Sequence, residues 1–367
     1  MERVFGSPSH YVQGKNILLT GTKYFQALGS TPLLITDDDV WEIVGEDFYK
    51  ALKEAGLAVQ REAFNGEASD REILRIKAVA EKHHADLIIG LGGGKTSDTA
   101  KAVADELTLP VAIAPTLAST DAPTSALSVI YTDAGNFEKY RFYDKNPDLV
   151  IVDTQVVANA PAKFLAFGIG DASATYIEAR AVAEGYNKNM LGGNSPLAAQ
   201  AIAKQCMETI FEYGIQAVAA NEAHVVTPAL EAVVEANTLM SGLGFESSGL
   251  AAAHAIHDGF TALDGPIHGK GHGEKVAYGV LSELFLENRP KEEIDRYIAF
   301  YQALNLPTTL ADLGLGDASY DDLLKVGQQA TIPEETMSEM PFTVTPEAVA
   351  EALIAVNKYV TTAYHAS

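Results

Sequence analysis

Four of the nine histidines lie within nineteen residues of one another, in the segment HAIHDGFTALDGPIHGKGH. His254 and His257 share one face of a predicted helix, and the glycine- and proline-containing segment after them can bring His268 or His272 back to the same point. Neutral imidazoles that converge with a carboxylate can hold a catalytic Zn²⁺ or a non-haem Fe²⁺ and leave positions open for a substrate. The cluster therefore predicts a metal site, against the alternative that each histidine is an ordinary polar residue.

The carboxylate of such a site must come from another part of the chain, and Asp171 is the candidate. It follows Gly170 in the segment GIGDASATYIEA and is an acid in mostly uncharged surroundings. The alternative interpretation is that Asp171 is the N-cap of the helix that follows it. The spacing of the residues does not decide between a metal ligand and a helix cap.

A second chemical signal is a glycine turn between a predicted strand and a predicted helix, in DLIIGLGGGKTSDTAKAVA. Gly92, Gly93 and Gly94 let the backbone approach a ligand closely, and the amides that open the next helix point at any anion bound there. Lys95 adds a positive charge. The turn does not match a Walker P-loop, because Ile89 occupies the position of its first glycine. It does not match a G-x-G-x-x-G fingerprint either, because Lys95 occupies the position of the last glycine. The pattern predicts a phosphate or pyrophosphate site, against the alternative of a structural turn, without identifying the nucleotide.

Two further candidates follow predicted strands. Asp37 follows PLLIT, and an acid at that position can accept hydrogen bonds from an adenosine ribose and repel a 2′-phosphate, which favours NAD over NADP. Alternatively, the acidic run at residues 37–39 is a solvated loop. The segment APTLASTDAPTSALSVIYT is rich in hydroxyl groups and contains a single acid, Asp121. It is either a turn or a ligand-binding loop at the carboxyl edge of a sheet.

The elements that position these residues differ between the two halves of the chain. Continuous apolar runs at 32–36, 86–91, 111–115 and 149–154 alternate with amphipathic helices, which predicts a Rossmann-like α/β domain with a parallel sheet. From about residue 156 the strand pattern stops, and alanine- and leucine-rich segments with helical spacing follow. We therefore expect an α/β domain at residues 1–158 and an all-α domain at residues 159–367.

Composition excludes several classes of protein. With 26 basic and 49 acidic residues the chain has a formal charge of −23, so nucleic acid is not an expected partner. The single cysteine, Cys206, excludes an internal disulfide and a thiolate metal cluster, and we expect it to be a buried structural thiol. No apolar run approaches the roughly 20 residues that span a bilayer, and the first ten residues lack the pattern of a signal peptide. We expect a cytoplasmic protein without a membrane partner.

Five segments, taken together, resemble the iron-containing (group III) alcohol dehydrogenase family along nearly the whole chain. These are GGGKTSD, PTLASTDAPTSALSVIYT, GIGDA, GFESSGLAAAHAIH and HGEKVAYG. The resemblance implies a dehydroquinate synthase-like architecture, with an NAD-binding first domain and a helical domain that binds the metal and the substrate. It also implies metal-assisted hydride transfer between glycerol and NAD, with one divalent metal per subunit, Zn²⁺ in preference to Fe²⁺. A homo-oligomer, by family resemblance an octamer, is expected.

The resemblance also assigns roles to individual residues. It makes Asp171, His254 and His272 the catalytic metal ligands, with His257 and His268 as neighbours. It places Asp121 and Phe245 against the polyol substrate, Asp121 in a catalytic position. The implied NAD contacts are Asp37, Gly92, Gly93, Gly94, Lys95, Asp98, Thr116, Leu117, Ala118, Ser119, Ser125, Leu127 and Tyr131.

Several other functions are compatible with the sequence. A sibling of the same fold would act on 1,2-propanediol or reduce a 2-oxoaldehyde. A metal-free NAD-binding protein would have no turnover of its own. A sugar-phosphate cyclase would need a basic pocket, for which Lys270 and Lys275 are the candidates near the histidines.

Overall fold

The computed structural model describes residues 2–133 and 135–363. Contacts within it define two compact units. The sheet unit consists of Gly6–Ala162 and Ala219–Gly242. The helical unit consists of Lys163–Val218 and the chain from Leu243 onward, together with the N-terminal residues up to Phe5. The sequence analysis places one division between residues 158 and 159. In the structure, however, the N-terminal residues up to Phe5 belong to the helical unit, and Ala219–Gly242 belongs to the sheet unit. A change in the spacing of apolar residues does not predict these assignments, because they depend on packing between distant segments.

The strands and helices have the following bounds. The strands are β1 His10–Gly14, β2 Pro32–Thr36, β3 Gln60–Ala63, β4 Leu87–Gly92, β5 Val111–Pro115, β6 Leu127–Tyr131, β7 Phe137–Phe142 and β8 Leu149–Asp153. The helices up to residue 222 are α1 Ile17–Thr20, α2 Thr22–Gln26, α3 Asp38–Val40, α4 Glu46–Glu54, α5 Asp70–Lys82, α6 Gly94–Leu107, α7 Thr154–Asn159, α8 Ala162–Glu184 and α9 Leu197–Glu222. Those that follow are α10 Pro228–Glu235, α11 Ser241–Ser248, α12 Ala252–Gly259, α13 His272–Leu286, α14 Lys291–Ala303, α15 Tyr320–Ala330 and α16 Pro346–Ala363.

The sheet unit is built on six parallel strands in the order β1-β8-β5-β4-β2-β3. The four strands predicted from apolar runs are β2, β4, β5 and β8, and each is buried along its whole length. The sequence analysis missed β1 and β3. Both are partly exposed edge strands, and Gln60–Ala63 carries polar side chains, so neither shows a continuous apolar run.

The strand order explains how Asp37 and the glycine turn share one edge of the sheet. After β2 the chain continues outward to β3, and after β4 it continues in the opposite direction to β5. The neighbouring strands β2 and β4 therefore flank the point where the strand order reverses, which is where open α/β sheets bind ligands. Ile35 pairs with Gly90, so Asp37 and Gly92 follow at adjacent strand ends.

A second sheet, the antiparallel hairpin β6-β7, belongs to the same unit. It follows the hydroxyl-rich segment that begins at the end of β5. The sequence analysis treats this segment as one loop through Thr132. Its last part is β6, and a 3₁₀ turn, Ala122–Thr124, lies within the loop before it.

The helical unit confirms the predicted second half of the fold. Both sheets lie between residues 10 and 153, and the described residues from Thr154 onward form helices, turns and loops, apart from isolated β-bridges of Asn194 to Arg3 and Lys188. Cys206 on α9 is a buried thiol, as expected. Among the described residues, no helix has the length and apolar character that crossing a bilayer requires.

Candidate metal centre and nucleotide-binding edge

Three side chains of the helical unit converge on one point. Asp171 on α8, His254 on α12 and His272 at the start of α13 each offer one ligand atom, and these atoms lie within 4.8 Å of one another. Nε2 of His272 is 2.9 Å and Nε2 of His254 is 3.4 Å from the same oxygen, Oδ1 of Asp171. The tertiary fold thus brings a carboxylate together with two imidazoles from distant parts of the sequence.

Glycines permit this convergence. A Cβ at Gly170 would overlap the carbonyl oxygen of Gly273, and one at Gly273 would overlap the carbonyl of Phe167. Helices α8 and α13 therefore touch backbone to backbone beside Asp171 and His272. On the other side, a Cβ at Gly279 of α13 would overlap the carbonyl of Ala253 on α12. Close packing of all three helices holds their ligand atoms together.

The N-cap interpretation of Asp171 is wrong. Helix α8 begins at Ala162, so Asp171 lies nine residues inside it, where its carboxylate does not cap the first turn. Gly170, the residue before it, is itself helical, and its small size permits the close contact with Gly273.

Electrostatics keep the carboxylate ionised. Burial of Asp171 opposes its charge, but His272 and His254 outweigh burial and hold the pKa of Asp171 well below its usual range. Burial also disfavours a charge on His254, while Glu178 and Asp171 raise the pKa of His254 well above its ordinary value. The centre therefore stabilises a positive charge between its donors.

The donor set fits a divalent metal. Nδ1 of His254 lies 2.6 Å from the carboxylate of Glu178, so this nitrogen donates and Nε2 is the atom directed at Asp171. When the ring of His254 is neutral and Nδ1 carries the proton, Nε2 is a hydrogen-bond acceptor, and it faces an oxygen of Asp171 that is also an acceptor. Such an arrangement needs a proton or a cation between the two atoms, and two imidazoles with one carboxylate are a ligand set of Zn²⁺ and Fe²⁺ sites.

The other two clustered histidines lie outside this group. Nδ1 of His257 is 2.9 Å from Oδ1 of Asp258, and its ring packs 4.3 Å from that of His272. Burial and then His272 lower the pKa of His257 to about 3, so it is a neutral neighbour. His268 is exposed in the 3₁₀ turn Pro266–Gly269. Of the two possible partners on the second segment, the structure brings His272 to the centre.

The glycine turn forms an open surface at the start of α6. Gly93 is the N-cap of this fourteen-residue helix, and no side chain caps it. A Cβ at Gly93 would meet nothing within 4 Å, and one at Gly94 would meet only Thr120 Oγ1, at 3.9 Å. Gly92 instead faces inward, where a Cβ would lie 2.7 Å from Thr96. The helix N-terminus therefore presents backbone N–H groups beside unfilled space, which suits a phosphate group.

Asp37 is half-buried at the end of β2 and caps the short helix α3, accepting a hydrogen bond of 2.7 Å from the amide of Val40. Asp38 and Asp39 are exposed on that helix. The acidic run is therefore not a single solvated loop, since its first carboxylate is half-buried and caps the helix to which the next two acids belong.

The loop after β5 is tied to the rest of the sheet unit by hydrogen bonds. The amide of Thr116 donates to the carbonyl of Gly92 at 3.0 Å, and Ala118 accepts from the side chain of Asn237 at 3.0 Å. Asp121 is 8% exposed and accepts a hydrogen bond of 2.7 Å from Ser241. The sequence analysis did not single out Asn237 or Ser241, since isolated polar residues in a helical segment carry no signal.

The remaining predicted NAD contacts of this unit differ in their surroundings. Asp98 is buried, its carboxylate lies 3.0 Å from the ammonium of Lys101, and burial raises its pKa. Lys101 also donates to the carbonyls of Ala122 and Leu127, so this pair fastens α6 to the loop. Lys95 is half-exposed, forms an ion pair with Glu67 and lies 5.0 Å from the ring centre of Tyr131. Leu117 and Ser119 are half-buried, and Ser125 is buried.

Phe245 lies on α11 and is 6% exposed. It belongs to the buried core of the helical unit, and its expected contact with a polyol stays a prediction.

The chain is similar in sequence and in structure to known proteins. The family model for iron-containing alcohol dehydrogenase matches residues 8–154. The chain is 48% identical to glycerol dehydrogenase of Escherichia coli O6:H1 over 98% of both chains, and 47% identical to glycolaldehyde reductase of Halobacterium salinarum over 96% of this chain and 97% of that one. The crystal structure of glycerol dehydrogenase from Schizosaccharomyces pombe superposes with a TM-score of 0.95 at 42% identity, covering 98% of this chain and 92% of that chain.

Proposed function

The chain belongs to the iron-containing alcohol dehydrogenase family, and from this premise we propose that it catalyses the NAD-dependent oxidation of glycerol to dihydroxyacetone and the reverse reaction. The observation that carries the proposal is the convergence of Asp171, His254 and His272 within 4.8 Å. In the forward direction a hydride leaves C2 of glycerol for the nicotinamide, and the hydroxyl proton is released. The products are dihydroxyacetone, NADH and H⁺.

Asp171, His254 and His272 would hold the divalent metal. When bound, the metal supplies Lewis acidity that lowers the pKa of a substrate hydroxyl. We propose Zn²⁺, for which two imidazoles and one carboxylate are a familiar catalytic ligand set, with Fe²⁺ as the alternative. Elemental analysis of the purified protein distinguishes the two metals.

The sheet unit would bind NAD at the reversal of its strand order. The uncapped start of α6 and the open surface at Gly93 and Gly94 suit the pyrophosphate, and the carboxylate of Asp37 at the neighbouring strand end suits a ribose diol. Gly92 would shape this turn, and the Asp98–Lys101 pair would hold the loop at its side. The further proposed contacts are Lys95, Thr116, Leu117, Ala118, Ser119, Ser125, Leu127 and Tyr131.

Asp121 would accept a hydrogen bond from a hydroxyl of the polyol, and Phe245 would provide an apolar contact. The hydroxyl of Ser241 orients the Asp121 carboxylate at 2.7 Å, which reduces the entropy lost when a substrate binds. Assembly as a homo-oligomer and a cytoplasmic location remain predictions from the sequence.

A second candidate activity is the reduction of glycolaldehyde with NADH. The relative from Halobacterium salinarum that carries this name is 47% identical to the chain, nearly as similar as the glycerol dehydrogenase of Escherichia coli. In this proposal both activities would use the same metal and cofactor, so the metal centre does not separate them.

Steady-state kinetics test the proposal. We expect kcat/KM to be higher for glycerol with NAD than for 1,2-propanediol or ethanol, and higher for dihydroxyacetone than for glycolaldehyde in the reverse direction. A preference for glycolaldehyde would replace the first candidate with the second. Removal of metal with EDTA should abolish turnover and Zn²⁺ should restore it, whereas full turnover in a sample shown to be metal-free would refute both candidates.

A further inference from the structure

Behind the metal centre lies a second carboxylate, Glu178, which is fully buried on α8. It is seven residues after Asp171, two helical turns along the same face. One of its oxygens lies 2.6 Å from Nδ1 of His254, and the other accepts hydrogen bonds of 2.9 Å from the amides of both Ala251 and His254. A single buried carboxylate thus contacts both the ring and the backbone of His254.

These contacts compensate for a helix that lacks a cap of its own. Helix α12 begins after Ala251, whose side chain cannot accept a hydrogen bond. Glu178 from α8 accepts hydrogen bonds from two backbone amides at this N-terminus. Glu283 from α13 accepts a third, from the amide of Ala253, at 2.7 Å. The two helices that carry Asp171 and His272 therefore also fix the start of the helix that carries His254.

The two capping acids differ in one respect that matters for the metal. Glu178 contacts the imidazole of His254, whereas Glu283 accepts a hydrogen bond from the backbone amide of Ala253. Burial, and then the charge of Glu178, raise the pKa of Glu283 well above its ordinary value, which favours the protonated form of Glu283. Replacing each by glutamine therefore separates support of the helix from control of the ring.

We infer that Glu178 is a positioning residue for metal binding: by accepting a hydrogen bond from Nδ1 it fixes the ring of His254 and directs Nε2, as a lone pair, toward Asp171. Outer carboxylates of this kind set the tautomer and orientation of a metal-binding histidine. The inference rests on the proposed metal site. Glu178 adds no ligand atom to it and acts through His254.

Glu178→Gln is the decisive variant. The amide keeps the shape of the side chain and an oxygen for the helix amides, but it turns an NH₂ group toward Nδ1 and so favours the proton on Nε2, where it blocks coordination. In metal-free protein titrated with Zn²⁺ against a chromophoric chelator, we expect the affinity to fall by about 10- to 100-fold relative to the wild type. Far-UV circular dichroism checks that the variant is folded.

Glu283→Gln is the matched control. It should leave the affinity for Zn²⁺ close to that of the wild type, because glutamine resembles the neutral acid and the ring of His254 is untouched. Unchanged affinity in Glu178→Gln, or equal losses in both variants, would overturn the inference and reduce Glu178 to a helix cap. Tight binding by the wild type would still support the proposed function in that case, whereas a wild type that binds no metal would refute the function itself.

A crystal structure of the Zn²⁺-loaded wild type gives a second test that does not depend on folding of a variant. We expect Nε2 of His254 on the metal and Nδ1 within hydrogen-bond distance of Glu178. Coordination through Nδ1 would contradict the inference.

Discussion

Gly170 and Gly273 lie against each other at the contact between α8 and α13, with no room for a side chain on either. Each is the chain neighbour of a proposed ligand, Asp171 in the first case and His272 in the second. The 2.9 Å separation between those two side chains, which are 101 residues apart in the sequence, therefore depends on helix packing that glycine alone permits.

Gly273→Ala tests this dependence. The added methyl group would overlap the carbonyl of Phe167, so α8 and α13 must separate. We expect a loss of about 1–3 kcal/mol in the free energy of unfolding, as for other overpacked sites, together with weaker metal binding. Urea unfolding and titration with Zn²⁺ measure the two effects. Gly269→Ala is the control, because a Cβ there meets nothing within 4 Å; equal behaviour of the two variants would contradict the packing argument.

The structure also separates two histidines on α12. His254→Ala should lose nearly all bound metal and turnover, because it removes one of the three converging donors. His257→Ala should keep its metal, since His257 pairs with Asp258 and lies outside that group. Elemental analysis of the purified variants, with glycerol oxidation measured on the same samples, checks both. Loss of metal from both variants would show that the choice of ligand on this helix is wrong.

Asp37→Ser should weaken the preference for NAD over NADP without unfolding the protein. Serine keeps the N-cap of α3 that Asp37 now provides, but removes the charge that would repel a 2′-phosphate. A tenfold change in the ratio of kcat/KM values requires only ~1.4 kcal/mol of relieved repulsion, and we expect at least that much.

Two controls belong to this experiment. Asp37→Ala also loses the cap and should cost about 0.5–2 kcal/mol in stability. Asp38→Ser changes an exposed acid next to it. A cofactor ratio that is the same in Asp37→Ser, Asp38→Ser and the wild type would mean that Asp37 does not face the ribose.

Glu335 makes stability depend on pH. Burial, and then the charge of Asp258, raise the pKa of Glu335 from 4.5 to about 8. Between these values the folded state holds a proton that the unfolded state has lost, so stability falls as pH rises through this window. Glu335→Gln, which resembles the protonated acid, should be more stable than the wild type at pH about 9 and nearly equal at pH about 4. Denaturant unfolding at both pH values measures this, and Glu334→Gln, at an exposed neighbour, should show no such difference.

The sequence was sufficient for features that depend on local pattern. The buried strands β2, β4, β5 and β8 appeared as continuous apolar runs. The three glycines before α6 predicted an anion site, which stays a prediction. The family resemblance named Asp171, His254 and His272, and the fold brings these three side chains together. The edge strands β1 and β3 carried no such pattern and were missed.

By itself, then, the sequence determined the chemical types of the site residues, the class of fold, and the order of its halves, since these follow from composition and from the period of apolar residues. Tertiary structure decided which residues meet. Asp37 lies at the strand end next to the glycine turn, although the turn is more than fifty residues later in the sequence. His272, and not His268, lies at the metal centre, and Asp171 lies in the interior of a helix and not at its start. Glu178 contacts the ring of His254. Those outcomes depend on strand order and on backbone contact at glycines, which are properties of packing between distant segments.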